Sequence, residues 1–147
     1  MKLIKRFLVL ALIALVIIQF ISIDKTNPPT DPAKDFITMT NPPANIGSLI
    51  KSACYDCHSN HTEYPWYTNV QPVAWWVKGH IKNGRKKLNF SEWGDYSADK
   101  RAHKIEENIE EIEERHMPLK SYTWSHADAK LSDNDVESLM SWFRSIK

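Results

Sequence analysis

Residues 54–60 read CYDCHSN. Cys54 and Cys57 are the only cysteines, they stand one helical turn apart, and His58 adjoins the second. Ahead of them Ile46, Leu49, Ile50 and Ala53 recur at helical spacing, which places the motif at the end of an amphipathic helix. Several chemistries use such a pattern. A thioredoxin-like thiol pair needs a βαβ setting with an open thiolate at a helix start. Here a helical pattern precedes the motif and no parallel-sheet pattern follows. A structural zinc site needs four ligands, and this chain would have to complete the set with distant histidines such as His61 or His80. A disulfide between Cys54 and Cys57 would close a very small loop and leave His58 without a role. Covalent haem attachment needs only these residues: each thiol bonds one vinyl group, and His58 serves as the proximal iron ligand.

Compartment bears on that choice, because c-type attachment takes place outside the cytoplasm. The chain opens MKLIKRFLVLALIALVIIQFISID. Lys2, Lys5 and Arg6 precede an unbroken apolar run from Phe7 to Ile18, which Gln19 interrupts and Phe20–Ile23 resume. The pattern predicts a short transmembrane span over residues 1–23, an anchor or uncleaved signal, since no small-x-small cleavage site follows. Basic residues ahead of the run predict an inner (cytoplasmic) membrane location, with the domain facing the periplasm or cell exterior.

Residues 24–44 read as a Pro-rich linker, because TNPP occurs at 26–29 and again at 40–43. The domain is expected over 45–147 and reads as helical. A second helix is led by Pro72 and carries Val73, Trp76, Val77, His80 and Ile81 on one face, with Asn83-Gly84 offering a stop that RKKL extends. A third starts near Ser97, with a stripe of Ala102, Ile105, Ile109 and Ile112 and six glutamates between Glu106 and Glu114; Pro118 ends it. The last has a capping-box start at Ser132 and Asp135, followed by Val136, Leu139, Met140, Phe143 and Ile146. No alternating strand pattern extends beyond a few residues. The fold class is therefore mainly α, with long aromatic loops and an N-terminal membrane helix. The net charge of +1 leaves no basic excess for nucleic acid. No Ser/His/Asp or paired-carboxylate set suggests hydrolysis.

An iron that carries electrons usually has a second axial ligand. Met117 precedes Pro118 in ERHMPLKSY, 59 residues beyond His58. The order and spacing resemble class I cytochromes c, whose Met-Pro loop closes the distal side; His/Met ligation raises the potential. His116, His80 and His126 are the rival ligands. An iron left open on that side would suit a sensor or a small enzyme.

The segment from CYDCHSN through YPWY and the proline-led helix to LNFSEW, followed by an MPLxxY loop and a terminal helix, resembles the bacterial haem-binding domain family. The likeness covers about residues 45–143. It implies one covalently attached haem c per chain, with Cys54 and Cys57 as thioether positions, His58 proximal and Met117 distal. His58 should give its other ring N–H to a carbonyl, and Pro65 and Pro72 are the candidates. Trp66, Tyr67, Trp75, Trp76 and Trp93 are candidates to wall the haem. Arg85 either pairs with a propionate or joins a basic cluster with Lys82, Lys86 and Lys87 that would steer an acidic redox partner. The expected protein is a small, cytochrome c-like, membrane-tethered electron carrier and not an enzyme. The alternatives are a haem-based sensor or enzyme with an open distal site, and a non-haem module held by a disulfide or zinc.

Overall fold

A computed structural model describes all 147 residues. Eight α-helices joined by 3-10 turns, one π turn and short loops make up the fold, and there is no strand. They are α1 Lys2–Ile18, α2 Phe36–Thr40, α3 Ala44–Ile50, α4 Asp56–His58, α5 Val73–Lys87, α6 Ala98–Glu113, α7 Lys120–Thr123 and α8 Asp133–Ser145. The caps explain several of the boundaries. Ser97 accepts a hydrogen bond from the Lys100 N–H and starts α6. Ser132 and Asp135 exchange the bonds of a full capping box at the head of α8. α5 runs through Gly84 to Lys87, because Gly84 serves in packing and not as a stop. α6 ends at Glu113, short of Pro118, and Arg115 then turns the chain at φ 59°.

One apolar core joins α3, α6 and α8 with Leu88 and the turn Phe90–Asp95 that follows α5. Ile46 and Ile50 meet Ile105, Ile112, Leu139 and Phe143 there. Residues 24–44 are more than the expected linker. Phe36 is fully buried, and its ring lies 4.8 Å from Phe90, 4.7 Å from Trp93 and 6.1 Å from Phe143. Asp35 caps α2 through the Ile37 N–H and accepts the Tyr55 hydroxyl at 2.9 Å. Proline pairs prevent a long helix in this segment, but they left five residues free to form α2 and seat an aromatic anchor.

The expected 1–23 span is also corrected. α1 ends at Ile18, and no helix of the structure is long and apolar enough to cross a membrane. Gln19 ends the helix: its side-chain amide donates to the Leu15 carbonyl and to that of Gln71, so the chain turns onto the domain. None of the residues of α1 is buried.

If residues 24–44 are part of the domain, Phe36→Ala should destabilise it by about 3–5 kcal/mol, the usual range for a buried Phe. Urea unfolding of the full chain measures this, and a loss below ~1 kcal/mol would return the segment to linker status.

Candidate functional site

The helix that leads to the motif changes pitch on the way. After α3, residues Lys51–Tyr55 form a π turn, and the α-helical turn Asp56–His58 completes it. Cys54 therefore lies on the wide turn, while Cys57 and His58 lie beyond it. Insertions of this kind often mark functional positions.

α4 packs directly on α5. A Cβ at Gly84 would stand 2.6 Å from the Cys57 carbonyl oxygen and 3.3 Å from the Cys57 Cβ. Only glycine permits that approach of backbone to backbone. The chain leaving α5 then returns along the motif. His58 donates its Nδ1–H to the Leu88 carbonyl at 3.2 Å, since a carbonyl can only accept. The partner expected at Pro65 or Pro72 is thus supplied by Leu88, the C-terminal cap of α5. One residue on, Asn89 gives its side-chain amide to the Asn60 Oδ1 at 3.0 Å, and the Asn60 N–H donates to the Ser91 hydroxyl at 3.0 Å. Asn60, Asn89 and Ser91 are all buried, so these bonds form away from water, where leaving them unmade would be expensive. HSN and NFS, distant in sequence, are two halves of one polar lock.

Arg85 faces inward. Its Nε donates to the Ser59 carbonyl at 2.7 Å, and its terminal nitrogen donates to Asn27 Oδ1 and Thr62 Oγ1 at 2.8 Å each. It ties α5, the motif and the segment after α1 together, and so differs in setting from the other bases of its cluster. Asp56, between the cysteines, accepts the Glu63 N–H at 2.9 Å and the Tyr122 hydroxyl at 2.8 Å. The Tyr122 bond pins the loop that follows Met117-Pro118 onto the motif.

The motif groups are held in their neutral forms. Burial pushes the Cys54 thiol up to about 12, with a smaller push from Cys57, and the Cys57 thiol up to about 11, with Asp56 adding to it. Burial likewise holds His58 below the usual imidazole range, against the opposing effect of the Leu88 and Gly84 carbonyls. Such thiols are poor attacking thiolates, unlike those of redox pairs. Both are free and do not form a disulfide. No cluster of three or more His, Cys, Asp or Glu residues could hold a metal ion.

A largely apolar cavity of about 290 Å³ opens beside Cys57, bounded by Tyr67, Val77, Ile81, Leu119 and Trp124 among others. Trp76, His80 and His126 also border it. His80 Nδ1 meets the Trp76 carbonyl at 2.9 Å, and His126 Nδ1 meets that of Tyr122 at 3.2 Å. The other candidates fall elsewhere. Trp93 is in the core against Phe36. Trp66 is 77% exposed. Trp75 is partly exposed and bonds the Ile21 carbonyl. His116 lies among the carboxylates of Glu111 and Glu114. Met117 is half-buried beyond α6, its N–H bonded to the Glu111 carbonyl at 3.0 Å.

The donor set fits a c-type haem: two free thiols, an imidazole whose Nδ1 is taken and whose Nε2 is left for a metal, and an aromatic cavity next to Cys57. The family comparison bears on haem binding. The model of the haem-binding domain family matches residues 13–145, and the chain belongs to that family. No curated protein and no solved structure matches it.

Sequence reasoning missed Gly84, the Asn60–Asn89–Ser91 lock and the Asp56–Tyr122 bond. The segments CHSN, LNFS and MPLKSY were visible as motifs, but nothing in them says that they touch. Two outcomes follow from the geometry. In the haem-free chain at pH 8, Cys54 and Cys57 should react with a disulfide reagent on the order of 100-fold more slowly than in denaturant, as their raised pKa values require. Gly84→Ala should lower the urea stability by about 1–3 kcal/mol and the yield of haem attachment with it, despite the ~1 kcal/mol that alanine adds to a helix.

Proposed function

We propose that this chain is a monohaem c-type electron carrier attached to the cytoplasmic membrane, with its domain on the periplasmic or outer side. The observation that carries the haem reading is the His58–Leu88 hydrogen bond beside two free, protonated thiols. It selects the tautomer and the ring orientation that an axial histidine needs. In this reading Cys54 and Cys57 would hold the haem covalently, and His58 and Met117 would be its iron ligands. Haem iron supplies a one-electron couple. The chain holds its ligands, keeps water from the proximal side and presents an edge to a redox partner. The Asp56–Tyr122 bond supports Met117 in this role, because it fastens the Met117–Tyr122 loop to the motif. The membrane attachment rests on α1, which has no buried residue and whose basic residues precede the unbroken apolar run from Phe7 to Ile18.

A second reading has its own observation. His80 and His126 border the cavity next to Cys57, each with Nδ1 at a backbone carbonyl and Nε2 unused by it. Either histidine would then replace Met117 as the second ligand, or the iron would stay open for a gaseous ligand.

Expression with c-type maturation should give a haem-staining band that survives denaturing electrophoresis and disappears in Cys54→Ala/Cys57→Ala. The oxidised protein should show the weak far-red absorption of sulfur-ligated haem, and Met117→Ala should abolish it. If that variant keeps the wild-type spectrum while His80→Ala or His126→Ala changes it, the second reading replaces the first. Fast carbon monoxide binding to the reduced wild type would point to an open site.

A further inference from the structure

α1 presents an apolar surface on all sides, and yet it is not loosely joined to the domain. Gln19 and Gln71 exchange two hydrogen bonds: the Gln19 side chain donates to the Gln71 carbonyl at 3.1 Å, and the Gln71 N–H donates back to the Gln19 Oε1 at 2.9 Å. The Gln71 side chain and the Trp75 indole N–H both donate to the Ile21 carbonyl, at 2.9 and 3.2 Å. Lys78 reaches the Asp24 carbonyl at 2.5 Å, and Lys25 reaches the Asn69 side chain at 2.6 Å. Gln71 is buried, so its part of this joint is shielded from water. The root of α1 is thereby bolted to the start of α5 and to the turn Trp66–Asn69.

The face around that joint is unusual for a surface. Trp66, Val70, Val73 and Trp75 are all exposed large apolar residues. Asn69 ties Trp66 to the joint by donating to its carbonyl at 2.9 Å. Lys25 and Lys78 stand beside it.

We infer that this face docks on a lipid bilayer surface, with α1 inserted in the lipid and the indoles of Trp66 and Trp75 in the headgroup region. The inference rests on the membrane attachment proposed above. At ~1.5 Å per residue, α1 is about 25 Å long, against a hydrocarbon core of ~30 Å. α1 is too short to cross that core, and because it is rigidly bonded at its root, entering the lipid brings the root face down onto the bilayer surface. Indoles favour that depth, and lysines beside them meet anionic headgroups. A second protein would cover one stripe of α1, whereas its apolar surface continues around the whole helix, as lipid contact requires. Docking also sets the orientation of the haem region. Val73 belongs both to this face and to the wall of the cavity beside Cys57, so the rim of the cavity is held at the membrane surface.

The tryptophans make this testable, because all six lie in residues 66–142 and none is in α1. The full haem-loaded chain is reduced and placed in nanodiscs of phosphatidylcholine and phosphatidylglycerol. One sample carries a gadolinium-headgroup lipid, and its reference carries the diamagnetic lutetium analogue. Indole N–H signals are compared between the two, with Trp66→Phe and Trp75→Phe supplying assignments. Loss of the Trp66 and Trp75 signals with gadolinium, while buried Trp93 keeps its own, is the expected result. A chain that enters the discs but shows no selective loss overturns the docking and leaves the attachment standing. A chain that never joins the discs overturns both.

Discussion

Backbone meets backbone where Gly84 of α5 lies against the carbonyl of Cys57, and the arrangement of the site follows from that contact. Because the two helices approach so closely, the end of α5 falls beside His58, and the Leu88 carbonyl is in place to take its Nδ1–H. The next residues then enter the buried lock with Asn60. A side chain at position 84 would separate the helices and move every one of these partners by a fraction of an ångström or more. Hydrogen bonds weaken steeply with such displacement.

The polar lock and the apolar core do different work on either side of the motif. Tyr55 stacks on Phe90 at 5.4 Å and ties the helix to the core, with Asp35 accepting its hydroxyl. Cys57, two residues on, borders the cavity. The motif helix therefore has one face in the protein interior and one toward the cavity. Phe36 belongs to the interior side, and through it a segment outside the expected domain contributes to the packing under the motif.

Electrostatics point the same way. Half-buried thiols with raised pKa values and a histidine held neutral make a site that is quiet on its own. Neutral imidazole is the form that binds a metal, and protonated thiols are slow in disulfide exchange. The inward-facing Arg85 adds its positive charge next to the motif, but its donors are committed to Ser59, Thr62 and Asn27. It holds the loop after His58 in shape.

Features that depend on near neighbours were legible in the sequence. The helical periodicity ahead of Cys54, the caps at Ser97 and Ser132, and the C-x-x-C-H set itself are all decided within a few residues, so the mainly α class and the helical setting of the motif could be read directly. Partners brought together over long separations were not legible. Leu88 rather than Pro65 or Pro72 faces His58, because α5 continues through Gly84 and turns back at its end. Trp93 went to the core while Trp76 and Trp124 border the cavity, although all are tryptophans in aromatic loops and helices of similar pattern. α1 ended at Ile18 because Gln19 found Gln71, a residue far along the chain. Composition determines which residues can bond or pack, but the close passage of α5 over the motif decided which of them do.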